Sequence, residues 1–140
     1  MLWYSNMEKY TSCLLISSTE GWLKLTMQED IFNKGIDAKK LPPGTKFIIS
    51  TANTDYTLEK LDYGNNYRIH GGKYFPVPTN GVFSGCTWGG AAIRTDWIGY
   101  MMNMEFYKPD AKKNVNTSRI HNAKIVTPTW EYDMEWNTVV

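Results

Sequence analysis

Histidine and cysteine are scarce in this chain of 140 residues, which contains two of each. His70 and His121 lie far apart in the sequence, and so do Cys13 and Cys86. A structural or catalytic zinc site usually takes several such ligands at short spacings, as in Cys-x-x-Cys. The sequence therefore predicts no metal site and no cofactor. Two thiols in a chain of this size are typical of reduced, buried side chains.

The chain also lacks a large net charge and a long apolar run. Its formal charge is +1, with a pI of about 7.7, so charge alone does not favour binding to a nucleic-acid polymer or to an acidic membrane. No segment approaches the roughly 20 apolar residues that a membrane-spanning helix needs. The apolar run Cys13–Ile16 is short and follows the acidic Glu8, which is unlike a secretory signal. We therefore expect a soluble, cytoplasmic protein without a membrane partner.

Catalytic patterns are sparse. The chain has no Gly-x-Ser-x-Gly motif, and the glycines at 85, 89 and 90 precede a predicted strand, whereas a phosphate-binding loop precedes a helix. A nucleophile would have to be Cys86 or Ser84, with His70 as a conceivable base. A lone cysteine in a β protein is more often part of the packing. We predict no catalytic residues, and a cysteine-dependent enzyme ranks third among our functional hypotheses.

What the chain has in quantity is aromatic residues, at 14%, together with alternating apolar and polar positions. Both are typical of β-strands. Around the turn Asp62–Asn66, the alternation predicts a hairpin in which Leu58 faces Ile69, Glu59 faces Arg68 and Thr57 faces His70. At least six such strands predict a mainly β fold, a small antiparallel β-barrel or β-sandwich.

Other elements can be placed along a single domain, 1–140. Residues 1–40 are predicted to form an N-terminal arm, a hairpin of strands at 14–16 and 22–25, and one short helix near 27–34. Thr26 and Glu29 form a capping-box pattern at the start of that helix, and Gly35 is its expected stop. Residues 41–140 form the main β-sheet core.

Within that core we predict a long strand, Trp97–Tyr107, a loop over Lys108–Asn116, and an alternating strand over Thr129–Asn137. One face of the last strand carries Glu131, Asp133 and Glu135, which could hold a hard cation but are more typical of a solvated strand face.

Most of the glycines lie between Gly71 and Tyr107, interleaved with cationic and aromatic side chains. Gly71 and Gly72 predict a bulge or bend, and the prolines of Lys73–Thr79 predict an edge strand or exposed loop. Arg94 and Asp96 alternate with their neighbours and are expected to project from one face. Arginine holds phosphates and carboxylates, and flat rings stack on bases or sugars. The predicted ligand-binding residues are Arg68, His70, Lys73, Tyr74, Trp88, Arg94, Asp96 and Trp97.

Several motifs in residues 41–107 resemble a small uncharacterised β domain found in bacterial proteins. They are Pro-Gly-Thr-Lys-Phe at 43–47, Asn53 with Tyr56, Gly-Gly-Lys-Tyr-Phe-Pro-Val-Pro-Thr at 71–79, Gly85 with Gly89-Gly90, and Trp97-Ile-Gly99 through Glu105. The resemblance implies an all-β fold for this region. It names no activity.

These observations favour a non-catalytic binding protein for a small polar or anionic ligand, with a nucleotide as one candidate and sequestration as one mode of action. The alternative is a protein-interaction or assembly module that forms homo-oligomers through the apolar, proline-containing edge Tyr74–Pro78, because monomers rarely leave large apolar patches exposed.

Overall fold

The computed structural model describes residues 27–90 and 92–137. They form a mainly β, antiparallel structure with one short α-helix, which confirms the predicted fold class. The predicted strands at 14–16 and 22–25, the capping residue Thr26 and Cys13 lie outside the described residues. The helix is α1 (Gln28–Phe32), and a 3₁₀ turn covers Ala38–Lys40. The strands are β1 (Gly35–Asp37), β2 (Lys46–Thr51), β3 (Asp55–Lys60), β4 (Asn66–Gly71), β5 (Phe75–Thr87), β6 (Arg94–Thr95), β7 (Trp97–Gly99), β8 (Asn103–Lys108), β9 (Lys113–Val126) and β10 (Glu131–Asp133).

Six of these strands pair in a closed cycle, β2–β3–β4–β5–β8–β9, and β9 returns to β2. Register shifts interrupt the cycle in the pairs β2–β9, β4–β5, β5–β8 and β8–β9, so the ring is irregular and not a clean barrel. Outside this cycle, β6 pairs with β5 and β10 pairs with β9. β1 pairs with β7 as a separate two-stranded sheet. That small sheet attaches the helical segment to the ring.

The predicted hairpin is confirmed in its register. Leu58 pairs with Ile69, Glu59 with Arg68 and Thr57 with His70 in the β3–β4 ladder. Leu58 and Ile69 are fully buried and belong to a core of aliphatic side chains and rings. Alternation determined this result because one face of both strands had to be apolar.

Aromatic rings fill the centre of the ring of strands. Phe83 packs against Tyr67 and Phe106, with ring centroids 5.7 and 5.5 Å apart, and Phe75 meets Phe106 edge-to-face at 5.7 Å. All four side chains are fully buried. Edge-to-face and tilted contacts of this kind add to the free energy of burial.

Two predicted elements have different bounds in the structure. The helix ends at Phe32 because Lys34 turns the chain at a φ of +53°, and Gly35 begins β1. The strand predicted over Trp97–Tyr107 is wrong as a single element, since it divides into β7 and β8. Met101 has a φ of +65°, and its N–H donates to the carbonyl of Ile120 at 2.7 Å. A bonded, left-handed residue cannot continue an extended strand.

Two other predicted segments also differ. The loop predicted at Lys108–Asn116 is shorter, because β9 already begins at Lys113. The strand predicted at Thr129–Asn137 reduces to β10. The segment Lys73–Thr79 contains the start of β5, which pairs with β4 alone until β8 joins at Val82. That part of β5 is therefore an edge, as predicted, and Gly71 and Gly72 bend the chain before it at positive φ.

A buried lysine attaches the 3₁₀ turn to the ring. Lys60 is 1% exposed and donates its ammonium proton to the carbonyl of Ala38 at 2.5 Å. The N–H of Ala38 donates to the carbonyl of Asp96 at 2.8 Å. Burial lowers the pKa of the Lys60 amine, and the carboxylates of Asp96 and Asp37 oppose that shift. These bonds hold β1 beside the segment that carries the candidate site.

Candidate ligand-binding site

The segment between β5 and β8 folds back over the end of β5 to form the first wall of the site. β6 pairs with β5 so that Arg94 lies opposite Cys86 and Thr95 opposite Gly85. Gly85 has a φ of +137°, and a Cβ there would overlap the carbonyl of Arg94. Only glycine permits this backbone approach, which positions Arg94 at the edge of the sheet.

Trp97 forms the second wall, and its ring fits there because two glycines leave room for it. In the β1–β7 pair, Gly35 lies opposite Gly99. A Cβ on Gly35 would overlap the six-membered ring of Trp97, and a Cβ on Gly99 would lie 2.7 Å from its Nε1. The indole therefore lies flat across the two glycines and is 4% exposed. The small β1–β7 sheet can therefore pack against this ring only with glycine at both positions.

Two cationic side chains lie over rings at this wall. The guanidinium carbon of Arg94 is 3.5 Å from the centroid of the Trp97 ring, and the Lys34 ammonium is 5.2 Å from the Tyr100 ring. Tyr100 is itself braced by Trp136, at a centroid distance of 5.9 Å, and its N–H donates to the carbonyl of Lys34 at 3.0 Å. Both cations are therefore held in place by rings that the fold has already fixed.

These groups surround a pocket of about 720 Å³, which we call the Arg94 pocket. Its volume lies within the range of small-molecule sites. Trp88 and Phe32 line the pocket, with 70% and 83% of their surface exposed. The lining residues are Phe32, Asn33, Lys34, Cys86, Trp88, Ala92, Ile93, Arg94, Trp97, Tyr100 and Met102.

The electrostatics of the Arg94 pocket are one-sided. Its charged lining residues are Lys34 and Arg94, and no carboxylate appears among the described residues that line it. Within residues 27–90 and 92–137, no acidic side chain comes within ion-pair distance of Arg94. An arginine that stacks on a ring keeps its N–H edges available for an anion.

Cys86 lies in the wall of the Arg94 pocket but is fully buried. Burial raises the pKa of its thiol to about 12, although a hydrogen bond with the backbone of Gly99 acts in the opposite direction. The thiolate is the reactive form of cysteine. A thiol that stays protonated at neutral pH is a poor nucleophile, which argues against the cysteine-enzyme hypothesis.

The structure places seven of the eight predicted binding residues in three separate regions. Trp88, Arg94 and Trp97 meet in the Arg94 pocket. Lys73 and Tyr74 line a second cavity that shares no residue with it. Arg68 and His70 lie exposed on β4, where Arg68 approaches Glu59 at 3.7 Å and His70 faces Thr57.

Asp96 does not share a surface with Arg94, contrary to the alternation on which we based that prediction. It has a φ of +59° and is 9% exposed, whereas Arg94 is exposed. Left-handed backbone at Asp96 interrupts the two-residue period of a strand. Its carboxylate contributes to the field at Lys60.

Sequence reasoning missed Lys34, Phe32 and Tyr100 as pocket residues. The first two precede the segment Gly71–Tyr107 by more than 35 positions, and only the β1–β7 pairing brings them to it. Tyr100 lies in the segment Trp97–Tyr107, for which we predicted one continuous strand and which the structure interrupts at Met101. The sequence carries no clear signal for this pairing, because Gly35 is equally typical of the end of a helix.

Two kinds of feature are relevant in the part of the chain that the structure describes, a cluster of metal ligands and a helix that could cross a membrane. No three His, Cys, Asp or Glu side chains gather there in a way that could hold a metal ion. Glu131, Asp133 and Glu135 were considered above as ligands of a hard cation. Glu131 approaches Lys124 at 3.9 Å and Asp133 accepts a hydrogen bond from Asn122, so two of these three acidic residues have other partners. In the same ranges, no helix has the length and apolarity to cross a bilayer.

No protein family, curated protein or solved structure matches this chain. The resemblance of residues 41–107 to a small bacterial β domain stays a prediction.

Proposed function

We propose that this protein is a non-catalytic binder of a small anionic ligand that carries a planar ring, and that a nucleotide is the leading candidate. The observation that carries the proposal is Arg94, whose guanidinium lies 3.5 Å over the Trp97 ring in a pocket of about 720 Å³. No described carboxylate pairs with it.

The position of Arg94 favours a phosphate or carboxylate over a neutral ligand. Stacking occupies the face of the guanidinium, whereas its donors point outward in the plane and match two oxygens of one anion. Lys34 adds a second cation to the same lining. With no acid in the described lining, an anion meets attraction from both sides, and a cation meets only repulsion.

Trp88 supports the planar part of the ligand. An indole with 70% of its surface exposed is a large apolar area in contact with water. Such a ring at the edge of a cationic pocket can stack on a nucleobase, an interaction that is tolerant of base identity. The ligand would then place its base on Trp88 and its phosphate at Arg94.

The buried, protonated Cys86 supports binding without turnover. A protein of this kind can act by sequestration, because holding a ligand lowers its free concentration without any reaction.

The test is a thermal-shift screen of mono-, di- and cyclic nucleotides and their nucleosides, followed by calorimetry on any ligand that raises the melting temperature. We expect nucleotides to bind and nucleosides to bind at least tenfold more weakly. Arg94→Ala should weaken binding by about 1.5–3 kcal/mol, the range for hydrogen bonds to charged groups. Arg94→Lys should also lose affinity, since a point charge does not replace the planar fork.

Arg119 provides a matched control, because it is an exposed arginine that does not line the Arg94 pocket. Arg119→Ala should bind nucleotides with unchanged affinity. A screen at millimolar concentration in which no anionic ligand raises the melting temperature would contradict the proposal, as would equal losses in the Arg94 and Arg119 variants.

The assembly hypothesis has one supporting observation. Val77 is 62% exposed between two exposed prolines, on the part of β5 that pairs with β4 alone. Phe75, however, is fully buried and cannot contribute to an interface. If this edge mediates self-association, light scattering should show an oligomer at micromolar concentration, and Val77→Lys should convert it to a monomer. A monomer in both proteins would remove the hypothesis.

A further inference from the structure

A second cavity opens where two hairpin turns meet the first half of β9. β2 pairs with β9 only from Ile120 onward, so residues 113–118 of β9 pair with β8 alone and leave an opening beside the β2–β3 turn. The cavity measures about 340 Å³. Its lining residues are Asn53, Thr54, Tyr56, Lys73, Tyr74, Asn116, Thr117 and Ser118, and we call it the Lys73 cavity.

Two lysines each place an ammonium group near the ring of Tyr74, which lines this cavity. The Nζ atoms of Lys73 and Lys113 lie 5.1 and 4.6 Å from the centroid of Tyr74. No carboxylate within the described ranges comes into ion-pair distance of either lysine. Two like charges held near the same ring repel one another, and an anion between them would remove that repulsion.

A network of hydroxyl groups connects the β2–β3 turn to β9 beside this cavity. Ser118 donates to the hydroxyl of Thr51 at 2.9 Å, and Thr51 donates to the carbonyl of Thr54 at 2.6 Å. The N–H groups of Asn53 and Thr54 donate back to Ser118 and Thr51 at 3.1 and 3.0 Å. These bonds lock the β2–β3 turn against β9, so the cavity is formed before any ligand arrives.

Uncommitted donors complete the site. The side-chain amides of Asn53 and Asn116 form no hydrogen bond with any residue that the structure describes, and both residues line the cavity. An amide NH₂ group donates two hydrogen bonds. Together with the lysines they provide donors and positive charge, and the lining contains no acidic side chain.

We propose that the Lys73 cavity is a second binding site, for a small oxyanion of the size of a phosphate or sulfate group, held between Lys73 and Lys113 and oriented by Asn53 and Asn116. A cavity of about 340 Å³ has room for one such group. The site stands apart from the Arg94 pocket, and its existence does not depend on the function proposed for that pocket.

Amide NMR of the full chain, titrated with inorganic phosphate at constant ionic strength set by chloride, tests this site. We expect saturable shifts at Lys73, Tyr74 and Asn116. Lys73→Gln combined with Lys113→Gln should weaken binding at least tenfold, and Lys73→Gln alone by severalfold. Lys46 is an exposed lysine away from the cavity, so Lys46→Gln should change nothing. Sulfate in place of phosphate shows whether the site prefers one tetrahedral oxyanion over the other.

Three outcomes would overturn the site. Shifts that grow linearly without saturation would indicate general exclusion effects of the salt and no binding. Equal loss in the Lys46 variant would indicate diffuse charge screening. Loss of phosphate binding in Arg94→Ala, with the lysine variants unaffected, would move the anion to the Arg94 pocket. The single Lys73→Gln variant keeps the test available if the double variant does not fold.

Discussion

The Arg94 pocket and the Lys73 cavity are both cationic, but the fold builds them in different ways. In the Arg94 pocket, Trp97 and Tyr100 hold the charges, Gly35 leaves room for the Trp97 ring, and Gly85 lets the backbone of Arg94 approach closely. In the Lys73 cavity, a network of hydroxyl groups centred on Thr51 holds the β2–β3 turn against β9, and two lysines lie near the half-buried ring of Tyr74. One site depends on shape and the other on hydrogen bonds.

The difference has a physical consequence for tolerance to mutation. A packed ring that touches backbone leaves no space for even one methyl group. A hydrogen-bond network instead fails when a donor loses its partner. The Arg94 pocket should therefore be sensitive to an added methyl group, and the Lys73 cavity to the loss of a hydroxyl group.

The largest effect is expected from Gly35→Ala. The added Cβ overlaps the Trp97 ring, so the ring or the β1–β7 pair must move. We expect a loss of about 3 kcal/mol in the free energy of unfolding, at the upper end of typical overpacking costs, and a loss of nucleotide binding. Gly90→Ala is the control, because a Cβ there meets nothing within 4 Å. Urea denaturation of both variants measures the difference, and equal stabilities would refute the packing account of the Arg94 pocket.

Thr51→Val should have the next largest effect, and in the other region. The change keeps the side-chain shape but leaves the N–H of Thr54 and the hydroxyl of Ser118 without their acceptor. We expect a loss of about 1 kcal/mol in the free energy of unfolding, the lower end of the range for unsatisfied donors, because both donors are part-buried. Thr57→Val, on the outer side of β3, should change stability by less than about 0.5 kcal/mol. If both valine variants unfold at the same denaturant concentration, the hydroxyl network does not stabilise the turn.

Alkaline pH distinguishes the two regions through Cys86. Its folded pKa of about 12 lies above the ordinary value of about 9. Above pH 9 the unfolded state therefore loses a proton that the folded state keeps, and stability falls by up to about 1.4 kcal/mol per pH unit. Tyr56, beside the Lys73 cavity, also has a raised pKa, but its ordinary value of 10 confines its effect to higher pH.

The stability of wild type relative to Cys86→Ala should therefore decline between pH 9 and 10. Denaturation curves collected at half-unit intervals of pH measure it. A difference between the two proteins that is independent of pH over this window would contradict the burial of the thiol.

Trp88→Ala is expected to have the smallest effect on stability and a large one on binding. A ring that is 70% exposed packs little, so stability should change by less than about 0.5 kcal/mol. Loss of a stacked base costs about 1–3 kcal/mol in affinity. Tyr63→Ala removes another exposed ring, 78% accessible, outside the pocket and should leave affinity unchanged. Unaltered nucleotide affinity in Trp88→Ala would contradict the proposed stacking of the base on Trp88.

Local patterning predicted much of the fold. The β3–β4 register, the bend at Gly71 and the β class itself follow from a two-residue period in which one face must be buried. The same reasoning selected Trp88, Arg94 and Trp97, because glycines marked a segment with unusual backbone demands.

Tertiary structure decided which of these residues meet. Positive φ at Asp96 and Met101 breaks the alternation that the sequence implies, turns Asp96 inward and divides one expected strand into β7 and β8. The β1–β7 pairing brings Lys34 to the Arg94 pocket, and the unequal pairing of β9 with β2 and β8 opens the Lys73 cavity. Side-chain period is a local property that residues carry in their sequence, whereas the closing of a ring of strands and the clearance for an indole depend on partners that only the folded chain brings together.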